Sequence, residues 1–192
     1  MKIQLLALLG ATLVVPWATR AEPAPLAPLP EETTKQTYYV ELPKIPLEAS
    51  ASVATEIAHV RILSARAEFP TRGVARTVYT AQMLWALKGS TQSTIEFAVG
   101  GARDATRWVD VVGAPTFTMG EELVLFLWTS PEGGETGVLG LKRGTYRVRR
   151  DADGRRLVGG DHAANVELSA FIDQVSEAWL RALTKANAQE GR

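Results

Sequence analysis

The sequence predicts a mainly β domain, a largely antiparallel barrel of five to seven strands with a carboxy-terminal helix closing it. Three observations predict this. Apolar residues recur with a period of two in long stretches between Thr55 and Val99, which turns one face of an extended chain inward. An unbroken apolar run, Leu123-Val124-Leu125-Phe126-Leu127-Trp128, is too short for a helix and suits a strand buried on both faces. After Asn165 the period changes, and Leu168, Phe171, Ile172, Val175, Trp179 and Leu183 fall at helical spacing, opposite Asp173, Gln174, Glu177 and Arg181.

In chain order, Met1-Lys2-Ile3-Gln4 is followed by an uncharged run from Leu5 to Val15, then Pro16-Trp17 and Thr19-Arg20-Ala21. That is the order of a secretory signal, and residues 1–21 are expected to be removed on export to a periplasm or the cell exterior. The run of 11 apolar residues is about half of what a membrane-spanning helix needs, so no span is expected after cleavage. Residues 22–50 hold six of the ten prolines, at 23, 25, 28, 30, 43 and 46, and read as a linker or arm. Tyr38-Tyr39-Val40-Glu41-Leu42 is the part of it that could dock as an edge strand, stopped by Pro43. The barrel domain is expected over residues 51–192.

Within it, Thr55 to Glu68 alternates as a long strand. Past the turn at Pro70-Thr71-Arg72-Gly73, Val74 to Lys88 forms its hairpin partner, with Tyr79, Ala81, Met83, Trp85 and Leu87 on one face. Ile95, Phe97 and Val99 mark a third strand, ended by the bend at Gly100-Gly101. A loop between Pro115 and Gly120 leads into the apolar run. Short strands follow around Val138–Leu141 and Thr145–Arg149, the latter turning at Asp151-Ala152-Asp153-Gly154 into Arg156-Leu157-Val158. The helix runs from about residue 166, and its apolar stripe must cover an open end or face of the sheet.

The long first strand, Tyr79-Thr80, Leu87-Lys88-Gly89, Gly100-Gly101 and Gly120-Glu121-Glu122 leading into Val124–Leu127 together resemble a group of exported bacterial proteins. Their domain is similar to the OB-like barrel of netrin and tissue-metalloproteinase-inhibitor modules. The resemblance covers roughly residues 55 to 150 and implies an OB-like antiparallel barrel. It carries over no site residue, because those inhibitors chelate the protease zinc through an amino-terminal Cys and this chain has none.

Composition narrows the chemistry. Without residues 1–21, which carry Lys2 and Arg20, 19 basic side chains remain against 21 acidic ones, a net charge of −2 that supplies no bulk attraction to nucleic acid. The absence of Cys removes thiolate chemistry and disulfides. His59 and His162 are the two histidines, at no metal-ligand spacing; His59 reads as a solvated strand residue and His162, beside Asp161, as a loop residue. No Gly-x-Ser-x-Gly or Ser-x-x-Lys pattern marks a serine nucleophile. The carboxylates of Glu31-Glu32 and of Glu121-Glu122 are adjacent on extended chain and so point apart.

One local charge excess stands out. Lys142, Arg143, Arg147, Arg149, Arg150, Arg155 and Arg156 face only Asp151 and Asp153, and Arg147 and Arg149 share a strand face opposite Tyr146 and Val148. Such a face could hold an acidic partner bidentately, or simply guard a sheet edge. Trp85, Trp128 and Trp179 lie on apolar stripes and are expected in the core; Trp108, in Thr106-Arg107-Trp108-Val109-Asp110, lies in an irregular stretch as a loop anchor or contact residue. The expectation is an exported, non-catalytic domain that uses no cofactor or metal. It would bind a protein or an anionic envelope polymer through Arg143, Arg147, Arg149, Arg150 and Trp108. The alternatives are an accessory or inhibitor of an exported protease, and a hydrolase built on a carboxylate pair.

Overall fold

The computed structural model describes residues 34–40, 42–43, 45–132 and 134–190. The predicted signal, the chain through residue 33 with Glu31-Glu32, and Glu41 of the predicted edge strand lie outside the described residues. Along the chain come β1 (Thr34–Tyr39), α1 (Leu47–Val53), β2 (Glu56–Glu68), β3 (Arg76–Lys88), β4 (Thr94–Gly100), β5 (Ala102–Arg103) and β6 (Arg107–Val112). Then come β7 (Glu122–Thr129), β8 (Thr136–Val138), a 3-10 turn (Leu141–Gly144), β9 (Thr145–Arg150), β10 (Arg156–Gly160), β11 (Ala163–Glu167) and α2 (Leu168–Glu190).

The predicted apolar run is β7, and it organises the fold. On one edge it pairs antiparallel with β2. Its other edge is shared, Glu122–Leu125 pairing with β9 and Leu127–Thr129 with β8. The meander β2-β3-β4 closes back onto β7 through β8, which lies parallel to β4 at Ala98 and Gly137. The result is a closed five-stranded, OB-like Greek-key barrel. Strands β9, β10 and β11 continue the sheet outward from β7, and α2 covers that wing, as the apolar stripe requires.

Because β7 is buried on both faces, it serves two cores. Leu123, Leu125 and Leu127 point into the barrel with Val60, Ile62, Ala81, Phe97 and Phe117. Val124 and Phe126 point the other way, to Tyr146, Val158, Phe171 and Val175 beneath the helices. Three rings, Tyr79, Phe97 and Phe117, pack at 5.0 to 5.9 Å inside the barrel, and the Tyr79 hydroxyl accepts the buried Phe117 N–H at 3.3 Å. Under α2, Tyr146 packs 4.6 Å from Phe171, and a Cβ added at Gly160 would strike the Tyr146 ring.

Several sequence expectations change. The proline-rich arm contributes two elements. Its strand is Thr34–Tyr39 rather than Tyr38–Leu42, because it pairs residue for residue, in parallel, with the six residues of β6. Helix α1 packs on α2, where Glu48 bonds Lys185, and Lys88 donates from β3 to the carbonyls of Ala51 and Ser52 at 3.1 and 3.0 Å. The stretch around Trp108, read as irregular, is β6, which pairs with the distant β1 on one edge and with β5, its hairpin neighbour in the chain, on the other. Register shifts at Ile57/Ala58, His59/Val60 and Ile62/Ser64 break the alternation between β2 and β3. Trp85 is therefore turned off the barrel face and, like Trp128 at the end of β7, is 41% exposed rather than a core residue.

Truncating Leu125, fully buried at the centre of β7, is expected to cost roughly 2–5 kcal/mol as Leu125→Ala. Gly160→Ala is expected to destabilise as well, although it adds a single methyl group. Urea unfolding of both variants, with the far-ultraviolet signal as readout, checks this.

Candidate functional site

Of the predicted site residues, Arg147, Arg149 and Arg150 stand on β9, Arg143 in the 3-10 turn before it, and Trp108 on β6 of the separate three-stranded sheet. Arg147 and Arg149 share a face of β9, as alternation requires, yet their environments differ. Arg147 is half-buried; its Nε lies 3.0 Å from Glu121 Oε1 and its Nη2 donates to the Thr116 carbonyl at 2.8 Å. Glu121 in turn accepts the Thr118 N–H at 3.0 Å, so Arg147 locks the loop that enters β7. Arg143 sits in the 3-10 turn, half-buried, with Nε 3.8 Å from Asp161. Arg150 reaches the Gly154 carbonyl, and Arg155 is held by Asp151 and Asp153 within the β9–β10 turn. Arg149 is exposed and forms no ion pair among the described residues. Three of the seven cations, Arg143, Arg147 and Arg155, are thus paired with carboxylates, and Lys142, Arg149, Arg150 and Arg156 form no ion pair among the described residues.

Trp108 has a more distinctive setting. The turn at Gly101, with φ +95, brings β5 back against β6, and β1 lies on the other edge of β6. Residue Lys35 of β1 and Arg103 of β5 are both in register with Trp108. The Lys35 ammonium and the Arg103 guanidinium each lie 4.6 Å from the indole centroid, one from each neighbouring strand. A row of cation, aromatic ring and cation thus crosses the three-stranded sheet, with both cationic side chains exposed. Each contact contributes about 0.5–1 kcal/mol at an exposed site. The adjoining Asp104 is committed elsewhere: its carboxylate accepts the amides of Thr106 and Arg107 and pairs with the Arg107 side chain, which holds its pKa down at about 2. Neither Lys35 nor Arg103 has an acidic partner among the described residues. A cleft of 210 Å³ runs beside the row, between Gly100, Gly101, Asp110 and Thr116.

Trp108 stands out in the sequence but Lys35 and Arg103 do not: Lys35 is distant in the chain, and Arg103, only five residues away, meets the ring through a tight β5–β6 hairpin that no apolar alternation marks. The same holds for the histidines. His162 Nε2 lies 2.8 Å from the Ile45 carbonyl, which can only accept, so Nε2 carries the hydrogen and pins the arm to the β10–β11 turn. His59 is not solvated. It is 3% exposed, because Trp85 and the first turns of α2 close over its strand face. Its Nε2 is 3.4 Å from Glu122 Oε2 and makes no hydrogen bond. Glu122 is engaged instead by Arg61 at 2.6 Å, which holds its carboxyl below the ordinary value. Burial pushes the His59 pKa down, outweighing the attraction of Glu122, so the ring is neutral at pH 7 and the contact is not a charge pair. Among the described residues, no group of three or more His, Asp or Glu side chains is placed to hold a metal ion. The chain matches no known protein-family model and no curated protein sequence.

His59 has a consequence for pH. Its folded pKa lies below the unfolded value near 6.5, so the unfolded chain takes up the proton first as pH falls. Stability is expected to decline on acidification from pH 7.5 through 6.5 and to level off once pH passes the folded value. Urea midpoints across that range test this, and His59→Asn should flatten the slope.

Proposed function

We propose that this is an exported, non-catalytic binding domain that holds an anionic envelope polymer on the Lys35–Trp108–Arg103 row. The observation that carries the reading is the pair of exposed cations fixed about one indole with no acidic partner among the described residues. The ring does not offer its faces to a ligand, since both neighbours occupy them. It acts as a spacer that holds the cations at set positions, which lowers the entropy lost when anionic groups meet them. A polymer with repeated acidic groups engages both at once and gains from multivalency. The signal-like residues 1–21 and the slightly acidic remainder agree with a role outside the cytoplasm and with no general affinity for nucleic acid.

The carboxylates support binding over hydrolysis. Arg76 holds Glu68, Arg66 holds Glu96 and Arg61 holds Glu122, each lowering the carboxyl below its ordinary value. A general acid needs the opposite shift. Among the described residues, Glu56 is the carboxyl with a net upward shift, caused by burial, and no second carboxylate is bonded to it.

Retention of the purified protein on immobilised polygalacturonate and on peptidoglycan checks the reading. Retention is expected to weaken with rising salt, to fall several-fold for Lys35→Ala and Arg103→Ala and further for Trp108→Ala, and to change little for Arg149→Ala. Equal retention of all four variants would overturn the assignment of the row.

A further inference from the structure

The cleft beside the Trp108 row also carries a group of the opposite sign. Asp110 lies two residues beyond Trp108 on β6, which pairs with β1 without a bulge, so alternation sends both side chains to the same face. Asp110 lines the 210 Å³ cleft together with Tyr79, Arg103, Trp108 and the bare backbone of Gly100-Gly101. Its carboxylate is half-buried, yet it forms no ion pair and no side-chain hydrogen bond among the described residues. Arg103 lines the same cleft, but its guanidinium is held over the indole rather than on Asp110. Two opposite charges thus stand beyond ion-pair distance in one small concavity. The buried Tyr79 hydroxyl adds a donor: it accepts the Phe117 N–H, and its own hydrogen has no acceptor among the described residues.

A carboxylate drawn partly out of water with no partner is costly, and in a cleft it marks a place for a cation or a donor. Acidic groups alone do not satisfy it. Drawn to Lys35 and Arg103, they meet Asp110 as a like charge on the same face. A ligand that carries an ammonium beside its carboxylate matches both signs at once. The volume limits what else enters. At 210 Å³ the cleft is smaller than the about 300–1,000 Å³ of sites that enclose a whole small molecule, so it holds one head group and leaves the rest of the ligand outside, along the row.

Resting on the reading of the row as open to a ligand, we propose that the cleft takes the zwitterionic head of a free amino-acid end, such as the peptide part of an envelope polymer presents. Its ammonium meets Asp110, and its carboxylate meets Arg103 and the Tyr79 hydroxyl. The probe is meso-diaminopimelate, which carries such a head at each end. Pimelate, with the same carbon chain and carboxylates but no amines, is the control. Each is titrated into the purified protein with the indole N–H resonance of Trp108 as readout. Saturable movement is expected with diaminopimelate, and pimelate should bind at least tenfold more weakly. Asp110→Asn keeps the shape and the thermal midpoint; it should weaken diaminopimelate roughly tenfold and leave retention on polygalacturonate equal or stronger. The cleft assignment is overturned if diaminopimelate leaves Trp108 unmoved, if pimelate binds as tightly, or if Asp110→Asn binds diaminopimelate unchanged. Diaminopimelate binding with no retention on either polymer supports the cleft and overturns the polymer reading instead.

Discussion

Strand β7 must hide both of its faces, and most of the architecture follows from that requirement. Five consecutive apolar residues, Leu123 to Leu127, are 0–4% exposed, and each contributes about 1.5–3 kcal/mol when fully buried. One face demands a closed interior, which the barrel supplies through β2, β3, β4 and β8. The other demands a cover, which the wing of β9 to β11 and the two helices supply. The shared edge of β7 is what lets both solutions coexist: β8 closes the barrel along one half of the strand, and β9 starts the wing along the other.

The features of chemical interest lie outside these two cores, where strands serve as scaffolds. Trp108 is held on a three-stranded sheet assembled from the arm, the bend after β4 and the return strand before β7. Asp110 stands two residues further along β6, and the bend after β4 brings Arg103 to the same cleft. The site combines an aromatic ring with cations and a carboxylate, and it depends on residues set against one another by strand pairing.

That dependence explains what was legible in advance. The strands β2, β3, β4, β7, β9 and β10 were visible because each carries its own alternation or apolar run. Strand β11 was missed because Ala163–Glu167 has little alternation. Strand β6 was misread because Trp108, Val109 and Val111 show no clean period, and its order comes from pairing with β1. The arginine cluster was visible as a sequence density, but whether a guanidinium is free depends on Glu121, Asp151 or Asp161 lying opposite it. Arg147 shows the difference: alternation placed it on the right face, and Glu121 then decided that it braces a loop.

The sequence by itself determined the class of fold, the central doubly buried strand and the closing helix, because periodicity and burial are local properties of a chain that must separate apolar from polar surface. Tertiary structure alone decided that the arm adds a strand, that Lys35 and Arg103 flank Trp108, and that His59 is buried beside Glu122. These are cross-strand relations set by register. A shift of one residue in β1 or β5 would turn Lys35 or Arg103 to the opposite face, and no local pattern records which register closes.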